Sequence, residues 1–217
     1  MIEITLAQTL YGFGQAAVAS MAAAAVLEAG RKRYDLFGML LVAISAALGG
    51  GSLRDMLLDR PVFWVSDQAY LLTAVGAALL TFFIGRRRKL PLRVFLYTDA
   101  LGLALFTVVG TRIALQAEAG WLAASFMGVI TGVMGGVLRD ILCNEEPLVF
   151  QGPLYATAAW TGALFYLGLL ELGLRGFVPA LAGGLVVLLL RAAALRWSLE
   201  LPRFEEPVRR REGEPGD

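Results

Sequence analysis

Gly49-Gly50-Gly51-Ser52-Leu53-Arg54-Asp55-Met56-Leu57 closes a long apolar run, and 85 residues later Gly135-Gly136-Val137-Leu138-Arg139-Asp140-Ile141-Leu142 closes another. In each copy glycines sit inside a segment long enough to span a bilayer, and an Arg-Asp pair that hydrocarbon would reject follows at once. Two copies of one unit are thereby marked at the same place. In membrane transporters built from repeats, such glycine-interrupted spans mark the transport site.

The composition agrees. Hydrophobic residues make up 58% of the 217 and charged residues only 17%, with a mean hydropathy of +0.67, more apolar than a soluble domain of this length. The net charge of +1 arises from short charged loops and a charged C-terminal stretch, so no basic face for nucleic acid is expected. One cysteine, Cys143, and no histidine exclude the usual Cys/His zinc sites and His-based triads. Lys32 and Lys89 lie in charged loop clusters, away from any serine nucleophile pattern. The chain is therefore expected not to be an enzyme and to carry no cofactor or resident metal.

A spanning helix needs about 20 mostly apolar residues. Seven such windows are present, at 5–28, 36–58, 67–85, 92–113, 120–142, 153–172 and 176–198. The first lacks a basic leader and is followed by Arg31-Lys32-Arg33, so it reads as a retained helix. Residues 1–201 form one transmembrane domain in this reading, and 202–217, rich in Pro, Glu and Arg, a mobile cytoplasmic tail. Cations cluster at Arg31 to Arg33, at Arg86 to Lys89 with Arg93, and at Arg191, Arg196, Arg203 and Arg209 to Arg211. With seven spans these fall on one side, which the positive-inside rule makes cytoplasmic, with the N-terminus outside.

The repeat extends beyond the motif. The same offset relates Ala43, Ala47 and Gly51 to Gly128, Gly132 and Gly136, and Tyr70, Ala74 and Ala78 to Tyr155, Ala159 and Ala163. The first and fourth windows match loosely at an offset of 90, which sets Gly12 against Gly102 and Thr9 against Asp99. Three helices per unit force the second unit to enter the membrane upside down. The expected fold is all-α, polytopic, two inverted three-helix repeats at about 5–85 and 92–172 plus a seventh helix at 176–198.

Two accounts of the glycines stay open. Small residues at every fourth position let helices approach closely. Three consecutive glycines, each costing about 1 kcal/mol relative to Ala inside a helix, instead suggest a break whose freed carbonyls and amides face water or ions. Arg54-Asp55 and Arg139-Asp140 likewise either lock helices together or line a path for ions, lipid headgroups or an anionic substrate. Asp99, seven residues into the fourth window, must face water, a cation or a partner such as Arg54 or Arg139. Trp64, Trp121 and Trp197 near helix ends read as interfacial anchors.

Gly49-Gly50-Gly51-x-x-Arg54-Asp55, Asp99-Ala-Leu-Gly102-Leu-Ala-Leu-Phe106, Gly110-Thr111, Gly135-Gly136-x-x-Arg139-Asp140 and Glu146-Pro147-Leu148 resemble prokaryotic members of the trimeric intracellular cation (TRIC) channel family. The likeness spans residues 5–198. It implies a seven-helix subunit kinked at the glycines of helices two and five, an hourglass pore in each protomer of a homotrimer in the prokaryotic inner membrane, and passage of potassium and other monovalent cations. It also implies pore or gating roles for Gly49, Gly50, Gly51, Gly135, Gly136, Asp99, Arg54, Asp55, Arg139 and Asp140, with transient cation sites near Gly49, Gly50, Gly135 and Asp99. Relatives in the same broad bacterial family are labelled glycine transporters, and the lysine-containing signature of the animal members is absent.

Two functions follow as expectations. The first is a passive, potassium-permeable channel whose partners are monovalent cations, its own copies in a trimer, and membrane lipids. The alternative is a secondary transporter of glycine or a similar small amino acid, with Arg54 and Arg139 for the carboxylate and Asp99 for the ammonium.

Overall fold

A computed structural model describes residues 2–88, 91–151 and 154–202. The described chain is helical throughout: α1 (Ile2–Ala29), α2 (Leu36–Leu57), the single turn α3 (Phe63–Ser66), α4 (Ala69–Arg87), α5 (Leu92–Gln116), α6 (Trp121–Leu142), α7 (Ala156–Glu171) and α8 (Val178–Trp197). Each apolar window of the sequence is met by one long helix, and α3 is an addition in the loop after α2. Six of these helices are long and apolar enough to cross a membrane. Of the two others, α3 is a single turn, and α7 has 16 residues and a length of about 24 Å at the usual rise per residue. The tail expected from 202 lies, from 203 onward, outside the described residues.

Local chemistry sets the helix ends. Asp35 caps α2 by accepting from the Gly38 amide at 2.7 Å. Pro179 lies in the first turn of α8, where its missing amide costs nothing. Helices α2 and α6 end alike: Asp59 (φ 50°) and Asn144 (φ 53°) take the left-handed conformation, which Asp and Asn tolerate best among residues with a Cβ. The amides of Leu58 and Cys143 then bond back to Arg54 O and Arg139 O.

The helices pack as two matching sets. In the first half α1, α2 and α4 touch one another pairwise, and in the second half α5, α6 and α7 do the same. The halves meet through α1 against α5 and α2 against α6, and α8 is appended on α5 and α7. Where α2 crosses α6, a Cβ on Gly50 would run into the Thr131 carbonyl and a Cβ on Gly135 into the Ala46 carbonyl. Thr131 and Ala46, like Gly135 and Gly50, are 85 residues apart, so each half contributes the same pair to one reciprocal contact. Of the two accounts of the glycines, close packing holds here. The expected break needs correction: α2 runs helical through Gly49, Gly50 and Gly51, and α6 through Gly135 and Gly136, with no interruption. The glycines therefore interrupt neither helix in the described state.

Burial is inverted relative to a soluble protein. Small residues such as Ala17, Ala22, Ala25, Ala43 and Ala47 fill the centre, while Phe37, Leu72, Leu80 and Leu189 face outward. The buried polar set includes Arg54, Asp55, Asp99, Arg139, Asp140 and Arg191. An apolar shell around an ionic interior is what a hydrocarbon solvent favours.

Candidate functional site: a buried cluster of arginines and carboxylates

The C-terminal turns of α2 and α6 present their Arg-Asp pairs in the same way. Arg54 Nε donates to Asp55 Oδ1 at 2.9 Å, and Arg139 Nε donates to Asp140 Oδ1 at 2.7 Å. The second oxygen of each aspartate accepts a backbone amide eight residues on, Phe63 N for Asp55 and Leu148 N for Asp140, both at 2.9 Å. Each carboxylate thus neutralises its neighbour and ties down the loop that follows, as a buried charge must be both paired and hydrogen-bonded.

Only the second half adds a further acid. Arg139 Nη1 donates to Asp99 Oδ1 on α5, and Tyr155 Oη donates to the same oxygen at 3.2 Å. Asp99 and Arg139 are fully buried. Of the partners expected for Asp99, the structure selects Arg139 over Arg54. Asp99 Oδ2 and Arg139 Nη2 have no hydrogen-bond partner among the described protein groups.

Aromatic rings complete the surroundings. The Arg139 guanidinium stands 4.7 Å from the Phe95 ring centroid, and that of Arg54 stands 5.5 Å from Phe63. Arg191 lies 4.5 Å from the Tyr155 ring and donates to Leu154 O at 3.1 Å. Arg191 therefore does not belong to the cytoplasmic loop cluster in which its sequence position puts it. The signal is present in the sequence, since Arg191 is a charge well inside the last apolar window. Tyr155 and Phe95 carry no comparable mark. Trp64 also departs from expectation: its indole donates to Ser52 Oγ at 2.9 Å, while Trp121 and Trp197 are exposed.

A cavity of about 360 Å³ reaches the second-half cluster, lined among others by Glu28, Asp140, Glu145 and Glu146 with Arg31 and Arg191. The Lys32 ammonium pairs with Glu145 at 2.6 Å, joining the α1–α2 and α6–α7 connections at one end of the molecule. A second cavity of about 490 Å³ adjoins the first across Arg31 and Phe95, between apolar side chains and Arg86 and Arg88. Among the described residues no group of His, Cys, Asp and Glu could hold a metal ion.

The sequence-based offset of 90 for the first and fourth windows also needs correction. Tyr155 meets Asp99, and its counterpart Tyr70 meets Gly14, where an added Cβ would lie 2.9 Å from Tyr70 Oη. Gly14 is 85 residues before Asp99. The constant offset thus governs this contact, and Gly14 replaces Thr9 as the residue opposite Asp99.

Known proteins share this chain's sequence and two-part helical fold. The family model described as "Glycine transporter" matches residues 13–86 and 96–171, the two halves defined by the packing. The UPF0126 inner membrane protein YadS of Escherichia coli (strain K12) is 42% identical over 86% of this chain and 91% of its own. The crystallised TRIC trimeric intracellular cation channel orthologue from Rhodobacter sphaeroides superposes with a TM-score of 0.84 at 38% identity, over 88% of this chain and 99% of that one. The chain belongs to the TRIC-like family, which overlaps the family labelled glycine transporters. Other relatives of this TRIC-like chain include a UPF0126 membrane protein of Deinococcus radiodurans, 40% identical over 91% of this chain and 93% of its own. A further structure described as the basis for conductance through TRIC cation channels gives a TM-score of 0.81 at 34% identity, over 90% of this chain and 97% of that one. This chain is a polytopic membrane protein that matches non-catalytic cation channels in structure.

Proposed function

We propose that this protein is a passive channel for monovalent cations, chiefly potassium, working as a homotrimer with one pathway through each protomer. The observation that carries the reading is the superposition on the TRIC orthologue over nearly its whole length. The buried cluster supports it, because intramembrane charges on facing helices are the usual lining of an ion path. In this reading the two halves are inverted repeats about an axis near Gly50 and Gly135, and Arg54, Asp55, Asp99, Arg139 and Asp140 line the path on either side. With helices α2 and α6 unbroken at their glycines, the described state is the closed one, and opening bends them there. In this reading the basic loops face the cytoplasm by the positive-inside rule, and the membrane is the inner one, as in the name of the Escherichia coli relative. Residues 1–201 act as one membrane unit.

A second reading has its own support. The spare acceptor on Asp99 and the spare donor on Arg139 suit the ammonium and carboxylate of a small amino acid, and the matched family is described as a glycine transporter. Purified protein in liposomes separates the two. Potassium-gradient flux without saturable uptake of labelled glycine supports the channel. Saturable, gradient-coupled glycine uptake without conductance would replace it with a carrier.

A further inference from the structure

Among the differences between the two halves, one falls on the carboxylate that holds the arginine. In the second half Asp99 binds both Arg139 and Tyr155. In the first half the corresponding place is Gly14, against the hydroxyl of Tyr70, and Tyr70 lies within the electrostatic surroundings of Arg54. Arg54 is ion-paired with Asp55, whereas Arg139 is ion-paired with both Asp99 and Asp140.

The surroundings of the two pairs differ in charge. Helix α8 packs chiefly on the second half, through α5 and α7, and it brings Arg191 against Tyr155. There Arg139 and Arg191 face Asp99 and Asp140, with the buried Glu28 nearby, whereas in the first half the buried Arg54 faces Asp55 alone, with the exposed Arg60 beyond it. A second acid beside Arg54 would be an unbalanced buried charge, which proteins avoid. The second half can therefore hold its arginine between two carboxylates, and the first half cannot.

We propose that Gly14 is a positioning residue by what it lacks: without a carboxylate at 14, Arg54 is the arginine that shifts when the pathway opens, while Asp99 keeps Arg139 in place. Displacing Arg54 breaks one ion pair, and displacing Arg139 breaks two. In a site with little water each broken pair raises the barrier, so motion falls to the Arg54 side. This inference rests on the cluster lying along the transport path.

The test combines flux with the reactivity of two reporter cysteines placed at equivalent positions, Ser52→Cys two residues before Arg54 and Val137→Cys two residues before Arg139, each half-buried in the native chain. With a membrane-impermeant maleimide on both sides of the membrane, Ser52→Cys is expected to label at least fivefold faster than Val137→Cys. Adding Gly14→Asp, with Tyr70 turning its hydroxyl toward the new carboxylate, should slow Ser52→Cys labelling to the Val137→Cys rate and cut potassium flux at least tenfold. Gly14→Asn, of the same bulk without charge, should lose far less flux. Equal labelling of the two reporters in the native background, or equal loss of flux in Gly14→Asp and Gly14→Asn, overturns the proposal. If Gly14→Asp does not fold, Asp99→Gly decides: it should raise Val137→Cys labelling to the Ser52→Cys rate, and an unchanged rate counts against the lock. Labelling is read whether or not cations pass, so a protein that conducts nothing sinks the channel reading while leaving the asymmetry of the arginines measurable.

Discussion

Gly50 and Gly135 occupy the α2–α6 crossing from opposite sides, each so close to the partner backbone that a single methyl group at either would overlap the carbonyl of Thr131 or Ala46. Alanine in a helix interior is ordinarily favoured over glycine by about 1 kcal/mol. Here the sign reverses, because the neighbour is backbone and overpacking costs about 1–3 kcal/mol. Gly50→Ala and Gly135→Ala are each expected to lower the thermal stability of the purified protein, whereas Gly76→Ala on α4, whose Cβ would meet nothing within 4 Å, should leave it unchanged or raise it. A stable Gly50→Ala would show that the helices do not cross there as described.

Asp99 holds Arg139 together with Asp140, so its charge matters more than its shape. Asp99→Asn keeps an acceptor for Tyr155 but leaves Arg139 with one carboxylate. Breaking a buried pair usually costs about 3–5 kcal/mol, and the remaining Asp140 should hold the loss near the lower end. Chemical or thermal melting in detergent checks the size, and the reversal potential under a cation gradient checks whether ion preference moves with it. No change in either quantity would remove Asp99 from both roles.

Much of this site is legible in the amino-acid sequence. The Arg-Asp pairs and Asp99 are charges in apolar windows, and physics allows few reasons for such charges. The pairing of Asp99 with Arg139, 40 residues on, is not legible there, because periodicity places a residue on a helix without saying which helix lies opposite. The glycines mislead in one respect: a run of three weakens a helix in isolation, but packing against a second backbone restores what propensity withholds. Arg191 misleads in another, since the loop cations that follow it in sequence hide its place inside the last span.

Arg191 offers its planar guanidinium to the face of Tyr155 and a donor to Leu154 O. Lysine can supply the charge but neither the stacking nor the fork of donors. Arg191→Lys should therefore recover little of the stability lost in Arg191→Gln, a loss of about 2–4 kcal/mol for a buried charge-assisted contact. Full recovery by lysine would reduce the role of Arg191 to its charge.

Cys143, at the end of α6, is fully buried, and burial pushes its thiol up to about 11. At pH 7 the thiolate is then about one part in ten thousand, where an ordinary thiol would have a few per cent. Maleimide is expected to leave the folded protein almost unlabelled at neutral pH and to react fully after denaturation. Reactivity should rise as pH climbs toward 11, since deprotonation follows the raised value. Fast labelling at pH 7 would place Cys143 in contact with water.

Cation conduction by this chain is open to direct observation as current through the purified protein in a planar bilayer under a potassium chloride gradient. Discrete openings are expected, with a reversal potential close to the potassium equilibrium potential. A silent bilayer, with the same preparation taking up glycine saturably in liposomes, would contradict conduction and leave a carrier in its place.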